Sequence, residues 1–306
     1  MSAGRTDQTN GPLTGLNAVI TGASRGIGEA AARRMAAEGA NVVVNSSGRG
    51  GTDRGPLDAV VASINAEGRG RAVASCGSIA DDAYCAELIA TCLDEFGGID
   101  ILANIAGIPS GPGESFADEP SFDKWQELIG VHLNGTFSTC RHAVPHMRER
   151  GGSIINTTSH SFTGAYGGTG YAAAKGAVNS LSWGMARDLR PDGIRVNVVA
   201  PGAQTDLSTG DAYEKQIWDL FERGVLTEAM RDASLRVAGP EFVAPIYAWL
   251  AGPGSAHITG QVLSATGNFI GRFPRPKELD IVERPNVDGP WSLTELDELV
   301  GATLRR

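Results

Sequence analysis

Residues 17–28 have the sequence NAVITGASRGIG, in which a short apolar run is followed by a loop containing Gly22, Gly26 and Gly28. A helix pattern rich in Ala and Arg follows the loop and ends before Gly39. Glycines in such a turn let backbone N–H groups approach a phosphate, and the N-terminus of the next helix adds partial positive charge. The segment therefore predicts a phosphate-binding loop that joins the first strand of an α/β fold to its first helix.

The rest of the chain continues this alternation of strand and helix patterns. Strands are predicted over 17–21, 41–45, 72–75, 99–103, 153–156, 194–199 and 261–264. Strands that alternate with helices form a parallel sheet covered on both faces. We therefore predict an α/β protein with a single Rossmann-type, doubly wound, seven-stranded parallel sheet and helices on both faces. This domain is expected over 13–270, after a polar N-terminal segment at 1–12 and before a C-terminal extension at 271–306.

The composition restricts the partners and the compartment. The 306-residue chain has a formal net charge of -9. Because nucleic acids and anionic membranes attract Lys and Arg, we expect neither as a partner. No run of 18 apolar residues occurs and the first residues are polar, so neither a membrane span nor a signal peptide is expected. The four cysteines form no Cys-x-x-Cys pair, which favours free thiols in the cytoplasm over disulfides or a metal site.

A tyrosine and a lysine lie one helical turn apart in the segment Tyr171-Ala-Ala-Ala-Lys175. A free tyrosine has a pKa of about 10, too high for a base at neutral pH, and a nearby ammonium favours the phenolate. Ser159 follows the fifth predicted strand, where it could hold and polarise a substrate oxygen. Since ligands bind at the carboxyl ends of parallel strands, the three side chains predict an acid–base site there.

The end of the second strand bears on the choice of dinucleotide. Asn45 and Ser46 stand where an acidic residue would bind the adenosine ribose and select NAD, and no acidic residue occurs before Asp53. Arg25 and Arg49 could neutralise a 2′-phosphate, although both could also be solvated surface charges. The pattern leaves NAD and NADP open and favours NADP.

Several of these motifs together resemble those of the short-chain dehydrogenase/reductase family. They are Thr21-Gly-x3-Gly-x-Gly28, Asn104-Ile-Ala-Gly107, Ser159, Tyr171-x3-Lys175 and Pro201-Gly202, in this order. The resemblance covers residues 13–268. The loop at 42–55 and the run Val131-His-Leu-Asn-Gly-Thr-Phe137 further resemble the dehydrogenase unit of peroxisomal multifunctional β-oxidation enzymes and its bacterial relatives.

The resemblance implies hydride transfer between NAD(P) and an alcohol or ketone. It makes Tyr171 the general acid/base, Lys175 the ligand of the nicotinamide ribose and Ser159 the residue that orients the substrate oxygen. It implies a homo-oligomer, dimeric or tetrameric. The implied cofactor-binding residues are Gly22, Ser24, Arg25, Gly26, Ile27, Gly28, Asn45, Ser46, Asn104, Ala106, Gly107, Tyr171, Lys175, Gly202 and Thr205.

Two of the departures from the family pattern concern the catalytic residues. His132 replaces the usual catalytic Asn, and we expect it to carry a proton relay through water; the alternative is a histidine that only packs between helices. The spacing from Ser159 to Tyr171 is one residue shorter than usual, so Thr158 could serve as the catalytic hydroxyl in place of Ser159.

The segment 207–237 is expected to cover the substrate cleft. Its large apolar side chains suggest a bulky, mostly apolar substrate, either a 3-hydroxyacyl compound or a cyclic or steroid-like alcohol, although they could equally form ordinary core. These side chains are Tyr213, Ile217, Trp218, Leu220, Phe221, Leu226 and Met230.

Two other functions are compatible with parts of the sequence. A catalytically silent NAD(P)-binding sensor or scaffold would share the fold, but its expected mark is a broken Tyr-x3-Lys pair, which is intact here. A metal-dependent dehydrogenase would need more than the i, i+4 pair His142 and His146, which packing explains better than zinc, so we expect no metal.

Overall fold

The alternating strands and helices assemble into one mainly parallel sheet. A computed structural model describes residues 11–48, 53–109, 121–166, 169–205, 208–279, 281–283 and 289–304. Within these ranges the strands are β1 (Asn17–Ile20), β2 (Asn41–Ser46), β3 (Ala72–Cys76), β4 (Ile101–Asn104), β5 (Gly152–Thr157), β6 (Ile194–Gly202), β7 (Val262–Thr266) and β8 (Phe269–Phe273). Their order is β3-β2-β1-β4-β5-β6-β7-β8, and all neighbours except β7 and β8 are parallel.

Helices cover both faces of this sheet, as predicted. They are α1 (Gly26–Ala37), α2 (Gly55–Glu67), α3 (Asp82–Phe96), α4 (Phe122–Ile129), α5 (Gly135–Met147), α6 (Gly170–Asp188), α7 (Asp211–Glu222), α8 (Glu228–Leu235) and α9 (Ala244–Ala251). Side chains alternate along each strand, so Ile20 packs with α1, α2 and α9 on one face, whereas Val19 packs with α3 and α5 on the other. The doubly wound Rossmann-type fold is therefore confirmed.

The described sheet has one strand more than the seven predicted. β8 pairs antiparallel with β7, and Thr266 is the register partner of Phe269. Gly267, with a φ of 54°, and Asn268 form a two-residue turn of the kind that favours a hairpin. The prediction was wrong on this point because residues beyond 270 were given to the extension, whereas the pairing continues to Phe273.

The chain divides into two compact units, Met1–Phe273 and Pro274–Arg306. The first unit holds the sheet. In the second unit, α10 (Leu293–Leu296) begins with a capping box: Ser292 N donates to Glu295 Oε2 at 2.8 Å, and Glu295 N donates to Ser292 Oγ at 3.2 Å. In the described part of the chain, no helix has the length and apolar character needed to cross a membrane.

Candidate active site

A cavity of about 1640 Å³ opens at the carboxyl edge of the parallel strands. This volume exceeds the roughly 300–1,000 Å³ typical of a site for one small ligand, so it has room for a dinucleotide and a substrate together. All predicted site residues except Asn104 line it: Gly22, Ser24, Arg25, Gly26, Ile27, Gly28, Asn45, Ser46, Ala106, Gly107, His132, Ser159, Tyr171, Lys175, Gly202 and Thr205.

The glycine loop packs closely against the loop that follows β4. Thr21 Oγ1 accepts hydrogen bonds from Ile105 N at 3.0 Å and Ala106 N at 3.1 Å. A Cβ on Gly22 would lie 2.6 Å from the Ala106 Cα, and Gly22 has a φ of 68° that side chains disfavour. α1 begins at Gly26 within this loop, so its free N–H groups and positive dipole end face the cavity.

A pair of hydroxyl groups occupies the end of β2. Ser24 Oγ donates to Ser46 Oγ at 3.0 Å, and the backbone N–H of Gly48 donates to the same Ser46 oxygen at 3.3 Å. Arg25 lines the cavity beside this pair, whereas Arg49 lies outside the described residues. A neutral serine therefore stands where a carboxylate would favour NAD.

Two predicted asparagines are held in internal networks. Asn45 Nδ2 donates to the Gly77 carbonyl at 3.1 Å and to Tyr84 Oη at 3.0 Å, although Asn45 also lines the cavity. Asn104 is buried and does not line the cavity: its Nδ2 donates to Asn156 Oδ1 at 2.9 Å, and its Oδ1 accepts from Thr139 Oγ1 at 2.8 Å. Asn104 thus fixes β4 against β5 and α5, which positions the loop that does reach the cavity.

α6 and the end of β5 bring the predicted catalytic residues together. Lys175 Nζ donates to the Thr157 carbonyl at 2.9 Å and lies 5.7 Å from the centroid of the Tyr171 ring. The Ser159 side chain lies close enough to the Tyr171 hydroxyl to lower its pKa. Thr158 Oγ1 instead donates to the Lys175 carbonyl at 2.8 Å, so its hydroxyl is bound to the α6 backbone.

Desolvation is the main influence on the pKa values of Tyr171 and Lys175. Burial raises the pKa of Tyr171, and the hydrogen bond from Ser159 opposes the rise. Burial lowers the pKa of Lys175 to about 7. In the protein alone, the expected lowering of the Tyr171 pKa by Lys175 is therefore not found, because the cavity penalises the charged form of each group.

His132 lies on a π-helical turn, Gly130–Asn134, between α4 and α5. Its ring is 2 % exposed and meets the Tyr171 ring edge-on, with the centroids 5.1 Å apart. Nε2 is 3.1 Å from the Ile108 carbonyl, whereas Nδ1 is buried without a hydrogen-bond partner among the described residues. A Cβ on Gly107 would lie 2.7 Å from the His132 Cε1. Burial lowers the pKa of His132, so the ring is neutral near pH 7.

α7 and α8 form one wall of the cavity. Of the apolar side chains expected there, Tyr213, Ile217, Leu220 and Met230 line it. The remaining members of the set, Trp218, Phe221 and Leu226, do not line it. The Arg231 guanidinium lies 4.8 Å from the Trp218 ring and 4.4 Å from the Phe221 ring.

Residues 16–215 match the family model described as short chain dehydrogenase. The chain belongs to the short-chain dehydrogenase family. It is an NAD(P)-dependent oxidoreductase, and the resemblance seen in the sequence is confirmed.

Proteins similar to this short-chain dehydrogenase match along most of its length. Meso-2,3-butanediol dehydrogenase from Serratia marcescens is 35% identical over 261 residues, which are 85% of this chain and 96% of that protein. Hydroxyacyl-CoA dehydrogenase ChsB1 from Mycobacterium tuberculosis is 32% identical over 304 residues, 96% of this chain and 88% of that protein. A solved structure of a short chain dehydrogenase from Burkholderia cenocepacia in complex with NADP has a TM-score of 0.71 and 33% identity, covering 84% and 98% of the two chains.

Some contacts of this dehydrogenase's site left no signal in the sequence. Lys175 is held by the Thr157 carbonyl and His132 by the Ile108 backbone, and any residue type can supply these backbone groups. Tyr84 shapes the end of the cavity through its bond to Asn45, but a tyrosine on α3 has no pattern that distinguishes it from ordinary packing.

Proposed function

We propose that this dehydrogenase interconverts a bulky, mostly apolar secondary alcohol and its ketone, and that it prefers NADP(H) to NAD(H). The observation that carries the proposal is the meeting of Ser159, Tyr171 and Lys175 in the cavity that the glycine loop also lines. A catalytically silent sensor would have no need of this arrangement.

Tyr171 acts as the general acid and base. In reduction its hydroxyl donates a proton to the substrate oxygen, and in oxidation its phenolate accepts that proton. The Ser159 hydroxyl, which lies next to that of Tyr171, orients the same oxygen. The bound nicotinamide cofactor supplies or accepts the hydride. Lys175 would hold the nicotinamide ribose, and Gly202 and Thr205 would flank the ring.

His132 carries a proton relay from Tyr171 through water, and the loop after β4 holds its ring. Its neutral ring contacts the Ile108 backbone through Nε2, which leaves the buried Nδ1 as the ring nitrogen without a partner among the described residues. A histidine that only packed between helices would not need a polar atom buried without a partner. The position of the ring against Tyr171 supports the relay that the sequence suggests.

The preference for NADP(H) rests on the end of β2. The Ser24–Ser46 hydroxyl pair and the adjacent Arg25 favour a 2′-phosphate, whereas a carboxylate in place of Ser46 would repel it. The similar dehydrogenase from Burkholderia cenocepacia is in complex with NADP.

The substrate proposal rests on the wall formed by α7 and α8. The side chains of Ile217, Leu220 and Met230 favour an apolar body next to the reacting carbon. One similar protein is named as a hydroxyacyl-CoA dehydrogenase, so a 3-hydroxyacyl compound remains one candidate beside a cyclic or steroid-like alcohol.

The assay is a change in NAD(P)H absorbance against a panel of secondary alcohols and ketones. We expect turnover by the wild type, and a loss of about 10²–10⁴-fold in kcat for Tyr171→Phe, which removes only the acid–base oxygen. Fluorescence titration should show that Tyr171→Phe still binds NADPH. Unchanged turnover by Tyr171→Phe would remove the catalytic role, and cofactor binding by a wild type that turns over no alcohol or ketone would favour the silent sensor.

We also propose a cytoplasmic homo-oligomer, a dimer or tetramer. Phe122 is 70% exposed on α4 and Phe137 is 50% exposed on α5, a large apolar exposure for a chain that remains alone in water. Cys76, Cys85, Cys92 and Cys140 are all free thiols, in keeping with a reducing compartment. Sedimentation velocity distinguishes the oligomers, and a single monomer species at micromolar concentration would contradict the assembly.

A further inference from the structure

The half of the cavity opposite the glycine loop, which His160 and Ser264 line, has few charged side chains. Among the described residues that line the whole cavity, the acidic or basic ones apart from histidines are Arg25, Asp53 and Lys175. Arg25 follows β1 and Asp53 follows β2, on the side that would hold the dinucleotide. The Lys175 ammonium group is already bonded to the Thr157 carbonyl. Burying an ionised substrate group without a partner is expensive, so the part of the substrate next to the reacting carbon should be neutral.

That half of the cavity nevertheless contains a polar pair. His160 Nε2 lies 2.8 Å from Ser264 Oγ on β7, and both residues line the cavity. The His160 ring is held edge-on against Phe273, with the centroids 5.6 Å apart. Its second ring nitrogen, Nδ1, makes no hydrogen bond to any described residue. An oriented imidazole with one nitrogen available is a recognition group, because its ring position is already fixed.

The pair can bind either a hydroxyl or a carbonyl. Burial lowers the pKa of His160, so the neutral ring has one donor nitrogen and one acceptor nitrogen. If the Ser264 hydroxyl donates to Nε2, then Nδ1 carries the hydrogen and donates to a substrate carbonyl. If Nε2 donates to Ser264, then Nδ1 accepts from a substrate hydroxyl. The change needs only rotation of the Ser264 hydroxyl and a change of tautomer.

The backbone at Ser159 directs the side chains of Ser159 and His160 to different neighbours. Ser159 is extended, with φ of -151° and ψ of 154°, and extended backbone sends neighbouring side chains to opposite sides. Ser159 accordingly meets Tyr171 on α6, while His160 meets Ser264 on β7. Because consecutive Cα atoms lie about 3.8 Å apart and both residues line the cavity, the two side chains can hold oxygens a few carbons apart in one substrate, from either side of this backbone.

We propose that His160, oriented by Ser264, binds a second neutral oxygen of the substrate, a hydroxyl or carbonyl a few carbons away from the one that reacts at Tyr171. The inference rests on the proposed alcohol or ketone chemistry and narrows it to diols, hydroxyketones and their relatives whose two oxygens lie a few carbons apart, including 3-hydroxyacyl thioesters. Simple alcohols with one oxygen should be poor substrates.

The test uses pairs of alcohols that differ only in the second oxygen, such as 2-butanol with 1,3-butanediol and cyclohexanol with 1,3-cyclohexanediol. The best substrate of the wider panel is compared with its analogue that lacks the second oxygen. We expect wild-type kcat/KM to favour the doubly oxygenated member by about tenfold or more, the effect of one hydrogen bond of about 1.4 kcal/mol. A best substrate with a single oxygen would overturn the proposal.

His160→Phe keeps an aromatic ring and removes both nitrogens. It should lower kcat/KM only for the doubly oxygenated member, so that the ratio within each pair falls toward one. His160→Gln, which keeps a hydrogen-bonding group, should retain part of the preference. His146→Phe, at an exposed position of α5, serves as the matched control. NADPH titration checks that each variant is folded.

The outcomes separate the two proposals. Equal losses for both members of a pair in His160→Phe, with NADPH binding intact, would show that His160 only supports the fold and would refute the recognition role. An unchanged ratio would refute it as well. If the wild type turned over no member of any pair or of the panel, the proposed function itself would fail, and this inference would fail with it.

Discussion

Two adjacent hydroxyl side chains, Thr158 and Ser159, should give opposite results when each is removed. Thr158→Val keeps the side-chain shape but loses the 2.8 Å bond to the Lys175 carbonyl. The Lys175 carbonyl keeps its helical hydrogen bond inside α6, so the change removes one side-chain hydrogen bond, which contributes about 0.5–1.5 kcal/mol. Each kcal/mol lowers the unfolding temperature of a large domain by about 2–4 °C, so we expect a loss of a few degrees in Thr158→Val, with little change in kcat.

Ser159→Ala should show the reverse. It loses the hydroxyl that bonds Tyr171, and removing one donor to a reacting oxygen lowers kcat by about 10²–10³-fold. Its structural loss is the cap of a short helical turn, where Ser159 Oγ accepts from Ser161 N at 3.2 Å, worth about 1 kcal/mol. Thermal unfolding and steady-state NADPH oxidation measure the two effects. If Thr158→Val lost more than a hundredfold in rate while Ser159→Ala kept a near-normal rate, the catalytic hydroxyl would be that of Thr158.

Three further predictions concern a buried charge, the glycine loop and the cofactor. The pKa of Lys175 is lowered to about 7, so the unfolded chain binds one more proton than the native protein between about pH 7 and 10. The unfolding free energy of the wild type relative to Lys175→Met should therefore rise with pH there by up to about 1.4 kcal/mol per unit; a constant difference in urea unfolding would contradict this. Gly22→Ala forces a Cβ to 2.6 Å from the Ala106 Cα and should weaken NADPH binding and stability, whereas Gly184→Ala, with nothing within 4 Å, should bind NADPH normally. Ser46→Asp should shift the ratio of NADPH to NADH affinity toward NADH by about tenfold or more, measured by fluorescence titration, and an unchanged ratio would count against the role of the β2 end.

Much of the fold could be predicted because its signals are local. The β-branched runs, the glycine loop and the i, i+4 spacing of Tyr171 and Lys175 each depend on a few consecutive residues. Parallel topology then brings the loops after β1, β4 and β5 to one edge, which explains why so many predicted residues line one cavity.

The features that sequence reasoning missed depend on distant neighbours. The side chain of Asn104 is turned away from the cavity because Thr139 and Asn156, 35 and 52 residues away, satisfy it. His160 forms a hydrogen bond with Ser264, which lies 104 residues away in the sequence. The hairpin turn at Gly267 and Asn268 did carry a local signal. The prolines that follow led us to begin the predicted extension at residue 271, inside β8.

The pKa values of Tyr171 and Lys175 show why charge spacing alone was an incomplete guide. A fully charged Lys175 would hold its proton at neutral pH, and it could only act on Tyr171 through its field. Burial lowers its pKa to about 7, so the amine gains or loses a proton at little cost near neutrality. A substrate that fills the cavity separates Tyr171 from bulk water, and its proton then needs another route. On the proposed chemistry, burial opposes the phenolate. It also gives the site two groups that can exchange that proton, Lys175 and the His132 ring beside Tyr171, whose buried Nδ1 has no partner among the described residues.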